Sequence, residues 1–279
     1  TFSTARAPKA TKIASVWLSM MAHCVSPIVL AVLPATFLPK FFLPKSFCVL
    51  LVLFAALYPA YGADPVSRDW QSGIPANNVL AYEVFRNDKR IGFHHMQFTR
   101  IGDELRVDIH IELDVRLGFI PLFGYTHENT EIRRDGVLQS LVSKTDNNGK
   151  LAFASLVLEE GSYLGRGSRY DGGLVLPIMS TSYFDPNFVR QQRLISSQDG
   201  RLLEINVAYL GPEQVPDMTG SIEAHRFRLT GDLAIDIWYT KEGRWVRTEF
   251  SKNGVLSYRP VAPSKIPPKS TWRTVEIDQ

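Results

Sequence analysis

Between residues 90 and 116, apolar and polar residues alternate around a single Gly102-Asp103 pair. If Ile101 faces Glu104 across that pair, Met96 faces Ile109, Phe98 faces Val107, and Leu105 lies on the same side. The other side carries His95 opposite His110, Gln97 opposite Asp108 and Thr99 opposite Arg106. Ile111, Leu113 and Val115 extend the apolar row, and Glu112, Asp114 and Arg116 the polar one. Period-two alternation of this length predicts a half-buried antiparallel hairpin. Glycine in the first turn position suits a type II′ turn.

Turn signals then recur at Asp135-Gly136, Asn148-Gly149, Glu160-Gly161 and Gly172-Gly173, in steps of 13, 12 and 12 residues. A turn every dozen residues predicts an up-and-down meander. The segment Tyr125 to Ile132 is polar on both sides. Such a strand needs water or a polar cavity on one face, or it lies at an edge.

The series is interrupted at Met179 to Ser197, where Asp185 precedes Pro186. Asp caps free N–H groups, and proline at the first helical position loses no hydrogen bond. A short helix is expected within Ser182 to Leu194, framing the mouth of a curled sheet. A second strand series follows: Arg201 to Leu210, Ala224 to Leu229, Leu233 to Thr240 and Arg244 to Ser251, with Gly211-Pro212 and Glu242-Gly243 among the separators. Turning at Glu242-Gly243 puts Ile235, Ile237, Tyr239, Val246 and Phe250 on one face, and Asp236, Trp238, Arg247 and Glu249 on the other. Val255 to Tyr258 is placed to close the sheet. The expected fold class is all-β: an antiparallel meander curled into an open barrel or half-shell, with one short helix.

The N-terminal part reads differently. Residues 1–63 hold Arg6, Lys9, Lys12, Lys40 and Lys45 and no acid. Without them the chain has 26 basic and 28 acidic residues, so the net charge moves from +3 to −2. The basicity belongs to this leader, and no nucleic-acid partner is expected. Lys40 and Lys45 precede the apolar run Phe47 to Leu57, which Pro59 ends, and Ala60-Tyr61-Gly62 follows. Basic, apolar and small-residue regions in that order predict a signal peptide over 40–63 and a periplasmic or secreted product. The run is shorter than the ~20 residues of a spanning helix, so no stable membrane span is expected after cleavage. Residues 1–39 read as an extension upstream of the true start or as an extra apolar segment. Residues 64–79 read as a linker or ordered arm, 80–259 as the β domain, and 260–279 as a proline-containing tail.

Both cysteines, Cys24 and Cys48, fall in the leader. The mature domain therefore has no disulfide framework, thiol nucleophile or cysteine-ligated zinc.

Three stretches carry a resemblance. YEVFRNDKRIGFHHMQF at 82–98, STSYFDPNFVRQQRLISSQDGRLL at 180–203 and RFRLTGDLAIDIWYTKEGRWV at 226–246 are similar in order and spacing to a family of exported bacterial proteins known only as a domain of unknown function. The resemblance covers about residues 80–258. It implies a secreted, mostly antiparallel β domain and brings no activity, cofactor or catalytic residue.

Candidate chemistry is sparse. Adjacent His94 and His95 point to opposite faces of a strand, so one ion cannot take both. His95 and His110 can meet across the hairpin, where a solvated cross-strand pair is the simpler expectation than a metal. Asp236 and Glu249 oppose each other like paired carboxylates. They share a face with Trp238 and Arg247, which more simply form a cation–π contact. Ser180, Thr181 and Ser182 lack a Gly-flanked nucleophile elbow. Gly165-Arg166-Gly167 lacks the Lys-Ser/Thr of a phosphate loop. No catalytic residue, metal site or cofactor is assigned.

What remains is shape. An open β shell commonly holds an apolar ligand, and lipoprotein carriers of the bacterial envelope share this architecture, an analogy of fold alone. Tyr183, Phe184, Trp238 and Arg247 are the candidate ligand-binding residues, and the expected partner is a hydrophobic, lipid-like small molecule. The alternatives are an envelope protein-interaction module acting through a sheet edge, or a hydrolase with an unrecognised site. The leader makes one measurement decisive: the intact mass of the exported protein is expected to correspond to a start near Ala63 or Asp64. A mass that retains residues 47–57 means an anchor instead.

Overall fold

The computed structural model describes residues 65–175, 178–251 and 254–277. The expected signal peptide and everything before it lie outside the described residues. No helix among the described residues is long and apolar enough to cross a membrane.

Eight strands run as a meander: β1 (Val79–Arg86), β2 (Lys89–Ile101), β3 (Glu104–Leu117), β4 (Ile120–Arg134), β5 (Val137–Asn147), β6 (Lys150–Glu159), β7 (Ser162–Gly167) and β8 (Tyr170–Val175). The turn pairs Asn87-Asp88, Asp135-Gly136, Asn148-Gly149 and Glu160-Gly161 have positive φ at both residues. That is the type I′ geometry whose twist matches the strands it joins. In Gly102-Asp103 the glycine has φ +61°, and Asp103 is not in the left-handed region, as a type II′ turn requires. The β2·β3 register follows the expected pairing, with Met96 opposite Ile109 and Phe98 opposite Val107.

The second series comprises β9 (Met179–Ser180), β10 (Arg193–Ile195), β11 (Leu202–Asp217), β12 (Gly220–Gly231), β13 (Ile235–Tyr239), β14 (Trp245–Phe250) and β15 (Leu256–Pro260). β15 pairs with β1, and this one ladder fuses the two series into a sheet of fifteen strands among the described residues. All pairs are antiparallel except β9·β10.

β8 and β9 are opposite edges of this sheet, yet only residues 176–178 separate them in sequence. A flat sheet of that width would hold its edges roughly 67 Å apart. The links from Val175 to Met179 reach at most ~14 Å. The sheet must therefore be rolled, though no strand ladder joins β8 to β9.

Closure comes from the segment between β9 and β11, which lies across the inner face of β4 to β6. Ser143 Oγ donates to Ser197 O, Thr145 Oγ1 to Gln198 O (3.2 Å), and the Arg169 amide to Asp199 O (3.0 Å). Gly167 permits the approach, since a Cβ there would come within 2.6 Å of Asp199 O. Ile178 and Ile195 pack with Leu141, Leu156 and Tyr163 beneath it.

The expected helix is shorter than its sequence signal. Asp185 does cap it, accepting from the Asn187 amide at 2.9 Å, but only Pro186–Arg190 turns, as 3-10 helix. Arg193–Ile195 instead pairs with Leu202–Glu204 of β11. The 3-10 turn lies at the end of the strands that carries Gly243, against which Pro186 packs. It plugs that end rather than framing a mouth. Phe184, Phe188 and Val189 join the main core there, and Val66, Trp70 and Ile74 of the N-terminal arm pack beside them. Residues 66–78 are thus an ordered arm, tied down by Ser67 N to Lys241 O (3.0 Å) and Arg190 Nη2 to Val66 O (2.8 Å).

Three further expectations change. Gly172 lies inside β8, and the turn before that strand is at Ser168-Arg169. Gly211-Pro212 does not end a strand: β11 bulges between Tyr209 and Gly211 and runs on to Asp217. Proline is tolerated at such an irregularity. A second bulge between Trp238 and Tyr239 sends Val246 to the outer face with Trp238 and brings Trp245 into the core. The C-terminal tail also packs down, with Ile266 and Trp272 covering Ala81 and Phe93 on the outer face of β1 and β2.

Phe98 is 2% exposed and meets the Phe184 ring edge-on at 5.2 Å, so it couples the first hairpin to the plug. Phe98→Ala is expected to cost about 3–5 kcal/mol in denaturant unfolding. Gln97→Ala on the other face loses hydrogen bonds to Asn78 O and Phe98 O and should cost about 0.5–1.5 kcal/mol. A larger loss at Gln97 would contradict this assignment of faces.

Candidate functional site

The inner row of β4 is Tyr125, His127, Asn129, Glu131 and Arg133, and all but the half-buried Tyr125 are buried. The polarity of this strand thus reflects a buried polar interior, since β4 lies between β3 and β5 and is not an edge. At the plugged end, Arg133 Nη2 and Nε reach Glu131 Oε2 at 2.9 and 3.1 Å, and Nη1 reaches Asp185 Oδ2 at 3.2 Å. Ser180 Oγ donates to Glu131 Oε1 at 2.6 Å.

Towards the other end of the strands the plug gives way to a cavity of about 170 Å³. Ile109, Ile111, Leu113, Leu203, Phe250 and Leu256 form much of its apolar wall. His94, His127, Tyr125, Tyr183 and Tyr258 bring polar atoms to it. Arg169, Asp199, Arg201 and Asp232 line it near the turns at this end, two of each sign.

His94 is 2% exposed, and neither ring nitrogen has a hydrogen-bond partner among the described residues. The rings of Trp245 (5.4 Å) and Tyr258 (5.7 Å) meet it edge-on. Burial, reinforced by His127, holds its pKa well below the ordinary histidine value, so the ring is neutral at pH 7.

His127 is fully engaged. Thr145 Oγ1 donates to Gln198 O, so it accepts from His127 Nδ1–H at 2.8 Å. Nε2 is left to accept from Ser197 Oγ at 3.5 Å. This resembles half of a serine–histidine pair, but the orienting group is a threonine. Burial, with a smaller contribution from His110, also lowers the His127 pKa to about 3. A general base works best near the operating pH, so this imidazole is poorly suited to take a proton from Ser197.

Of the four residues singled out from sequence, Tyr183 lines the cavity. Its backbone is held at φ +67°, with its carbonyl accepting from Tyr239 Oη at 2.6 Å and its ring edge-on to Phe188. Phe184 belongs to the plug, beneath the Arg133 guanidinium at 5.0 Å. Trp238 and Arg247 lie on the outer face. There Arg226 (5.0 Å) and Arg247 (5.3 Å) cover the indole, and its Nε1 donates to Glu213. Asp236 does pair with Glu249, but Arg228 and Arg226 bind Asp236 and hold its carboxyl below the usual range, while Arg247 binds Glu249.

His95 and His110 do pair, and they are buried rather than solvated. Trp272 of the C-terminal strap stacks on His110 at 4.5 Å and meets His95 at 5.0 Å. His94, His127, Tyr125 and Tyr258 were not legible as a group. The available signal was the all-polar inner parity of β4.

The buried His127 imidazole gives a pH signature. Well above pH 6.5 it is neutral in both the folded and the unfolded chain. Below that pH the unfolded chain binds protons that His127 in the fold accepts only near pH 3, so stability is lost as pH falls through that window. At pH 5 the fully buried His127 alone accounts for about 2 kcal/mol. The melting temperature is expected to drop between pH 7 and pH 5, and His127→Gln to shrink that drop. An unchanged drop would clear His127 of the effect.

The crystal structure of a β-barrel-like protein of the domain of unknown function DUF1849 from Brucella abortus aligns with 66% of this chain and 94% of that chain, at 13% identity and a TM-score of 0.48. No curated protein matches the chain. The family model that does match spans residues 82–261, from β1 to just beyond β15, so the chain belongs to the family described as a domain of unknown function, DUF6134.

Proposed function

We propose that this protein is an exported ligand-binding shell that holds a small hydrophobic molecule, or the end of a lipid-like one, in the cavity of the rolled sheet. The observation that carries the reading is the cavity: an apolar wall with a few convergent polar groups, at the end of the strands away from the plug. Export rests on the basic, apolar and small-residue leader.

Volume bounds the part of a ligand that this partly open cavity encloses. A cavity of about 170 Å³ is close to the ~150 Å³ cavity that takes up benzene. It accommodates one ring or the end of an acyl chain, and not a whole two-chain lipid.

A second reading is an envelope interaction module, and a different feature favours it. The β3–β4 hairpin tip exposes Leu117, Phe119 and Ile120, with Phe119 at 100%. Large exposed apolar side chains grouped on one tip mark interaction surfaces more often than isolated ones do.

Binding of toluene, followed by ligand-detected NMR, separates the two. Tyr183→Ala is expected to weaken toluene binding more than it lowers the melting temperature. Phe184→Ala, in the plug, is expected to cost about 3–5 kcal/mol of stability. If the intact protein binds no small apolar molecule, the shell reading fails and the interaction reading takes its place.

A further inference from the structure

We infer that His94 is the ligand-recognition group of the cavity, and that the ligand it selects is an uncharged, single-ring hydroxy-aromatic molecule. This rests on the ligand-shell reading and narrows it to a chemical class.

A side chain 2% exposed, with both nitrogens unpaired, forfeits its hydration without replacement. The other cavity imidazole, His127, has both nitrogens engaged by Thr145 and Ser197. His94 is therefore the cavity histidine whose hydrogen-bonding capacity no protein group among the described residues takes up; almost none of either nitrogen is open to the cavity, so a bound hydroxyl has to part the surrounding rings to reach it. A neutral imidazole presents one N–H and one lone pair. A hydroxyl both donates and accepts, so it satisfies whichever nitrogen it meets.

Charge comes next. The titratable groups that share the apolar part of the cavity with His94 include Tyr183 and Tyr258, whose pKa values burial pushes up, and His127, whose pKa burial pushes down. All are neutral at pH 7. Arginines line the cavity only together with Asp199 and Asp232. A carboxylate placed at His94 would lose its hydration with no dedicated counter-charge. A neutral hydroxyl avoids that cost.

Shape supplies the rest. Tyr183, Phe250 and Tyr258 line the cavity, and Trp245 and Tyr258 meet His94 edge-on. Aromatic rings pack well against such edges and faces. The volume admits a single ring with one small substituent.

Titration calorimetry of the intact protein with phenol, toluene and benzoate tests this. Phenol is expected to bind about tenfold more tightly than toluene, the worth of one buried hydrogen bond, and benzoate more weakly than either. In His94→Phe the advantage of phenol over toluene should vanish. Equal binding of phenol and toluene, preference for benzoate, or a preference for phenol that survives His94→Phe would each overturn the inference while leaving the shell intact. Failure of all three to bind removes the shell reading itself. Should His94→Phe not fold, the ¹⁵N shifts of His94 in the unmodified protein decide. Phenol must move them and toluene must not, and shifts unmoved by phenol overturn the assignment.

Discussion

A single buried guanidinium fixes where the segment around β9 meets β4. Arg133 is fully buried, and so is Glu131 beside it. Taking an isolated charge out of water is prohibitive, so such a group has to find partners in the fold. Burial lowers the Arg133 pKa, but Glu131 and Asp185 outweigh it and the net direction is up, so the group stays charged. Two of its partners lie beyond the meander: Asp185 precedes the 3-10 turn, and Ser180 of β9 is 3.4 Å from Nη2. Asp185 serves twice, since one oxygen meets Arg133 and the other caps the turn. The segment after β9 is thus directed to one place on β4. Buried ion pairs are poor evidence for net stability, but removing one partner typically costs about 3–5 kcal/mol. Their contribution here is to geometry.

That geometry explains why a sheet this wide stops short of a barrel. The two edges are brought together by chain connectivity, yet β8 and β9 share no ladder. The segment between β9 and β11 does the joining with side-chain and backbone hydrogen bonds to β5 and to the β7–β8 turn. Such a closure needs no matching of strand register. It does need a bare backbone where the chains touch, which Gly167 and Gly200 provide.

Local rules were legible and long-range meetings were not. The β2·β3 register and the turns at Asp135-Gly136, Asn148-Gly149 and Glu160-Gly161 followed from residues within a few positions of one another. The family resemblance was also visible, in three stretches that fall within the matched span. Sequence and structure part where one residue type permits two outcomes. Gly211-Pro212 reads as a turn but fits a bulge, and Gly172-Gly173 reads as a turn but lies in an edge strand. Val246 changed faces because a bulge reverses parity, and nothing in the local alternation marks that bulge. His94 showed only that it opposes His95. That it would share a cavity with Tyr258 depends on β15 pairing with β1, which places it two strands from β2, and no spacing along the chain records that ladder.

The inner polar row of β4 links the clamp and the cavity. It is one stripe with two different ends. At the plugged end Glu131 and Arg133 meet Ser180 and Asp185, and the network is closed. At the other end the same stripe continues as His127 and Tyr125, next to His94 of β2 and Tyr258 of β15. The aromatic plug of Phe184 and Phe188 stops short of that end, because Asp185 ties it to Arg133. Space is therefore left where the polar stripe is least completed by protein. A polar row anchored at one end keeps the plug low and leaves the upper cavity with an apolar wall, neutral donors and an imidazole still short of a partner.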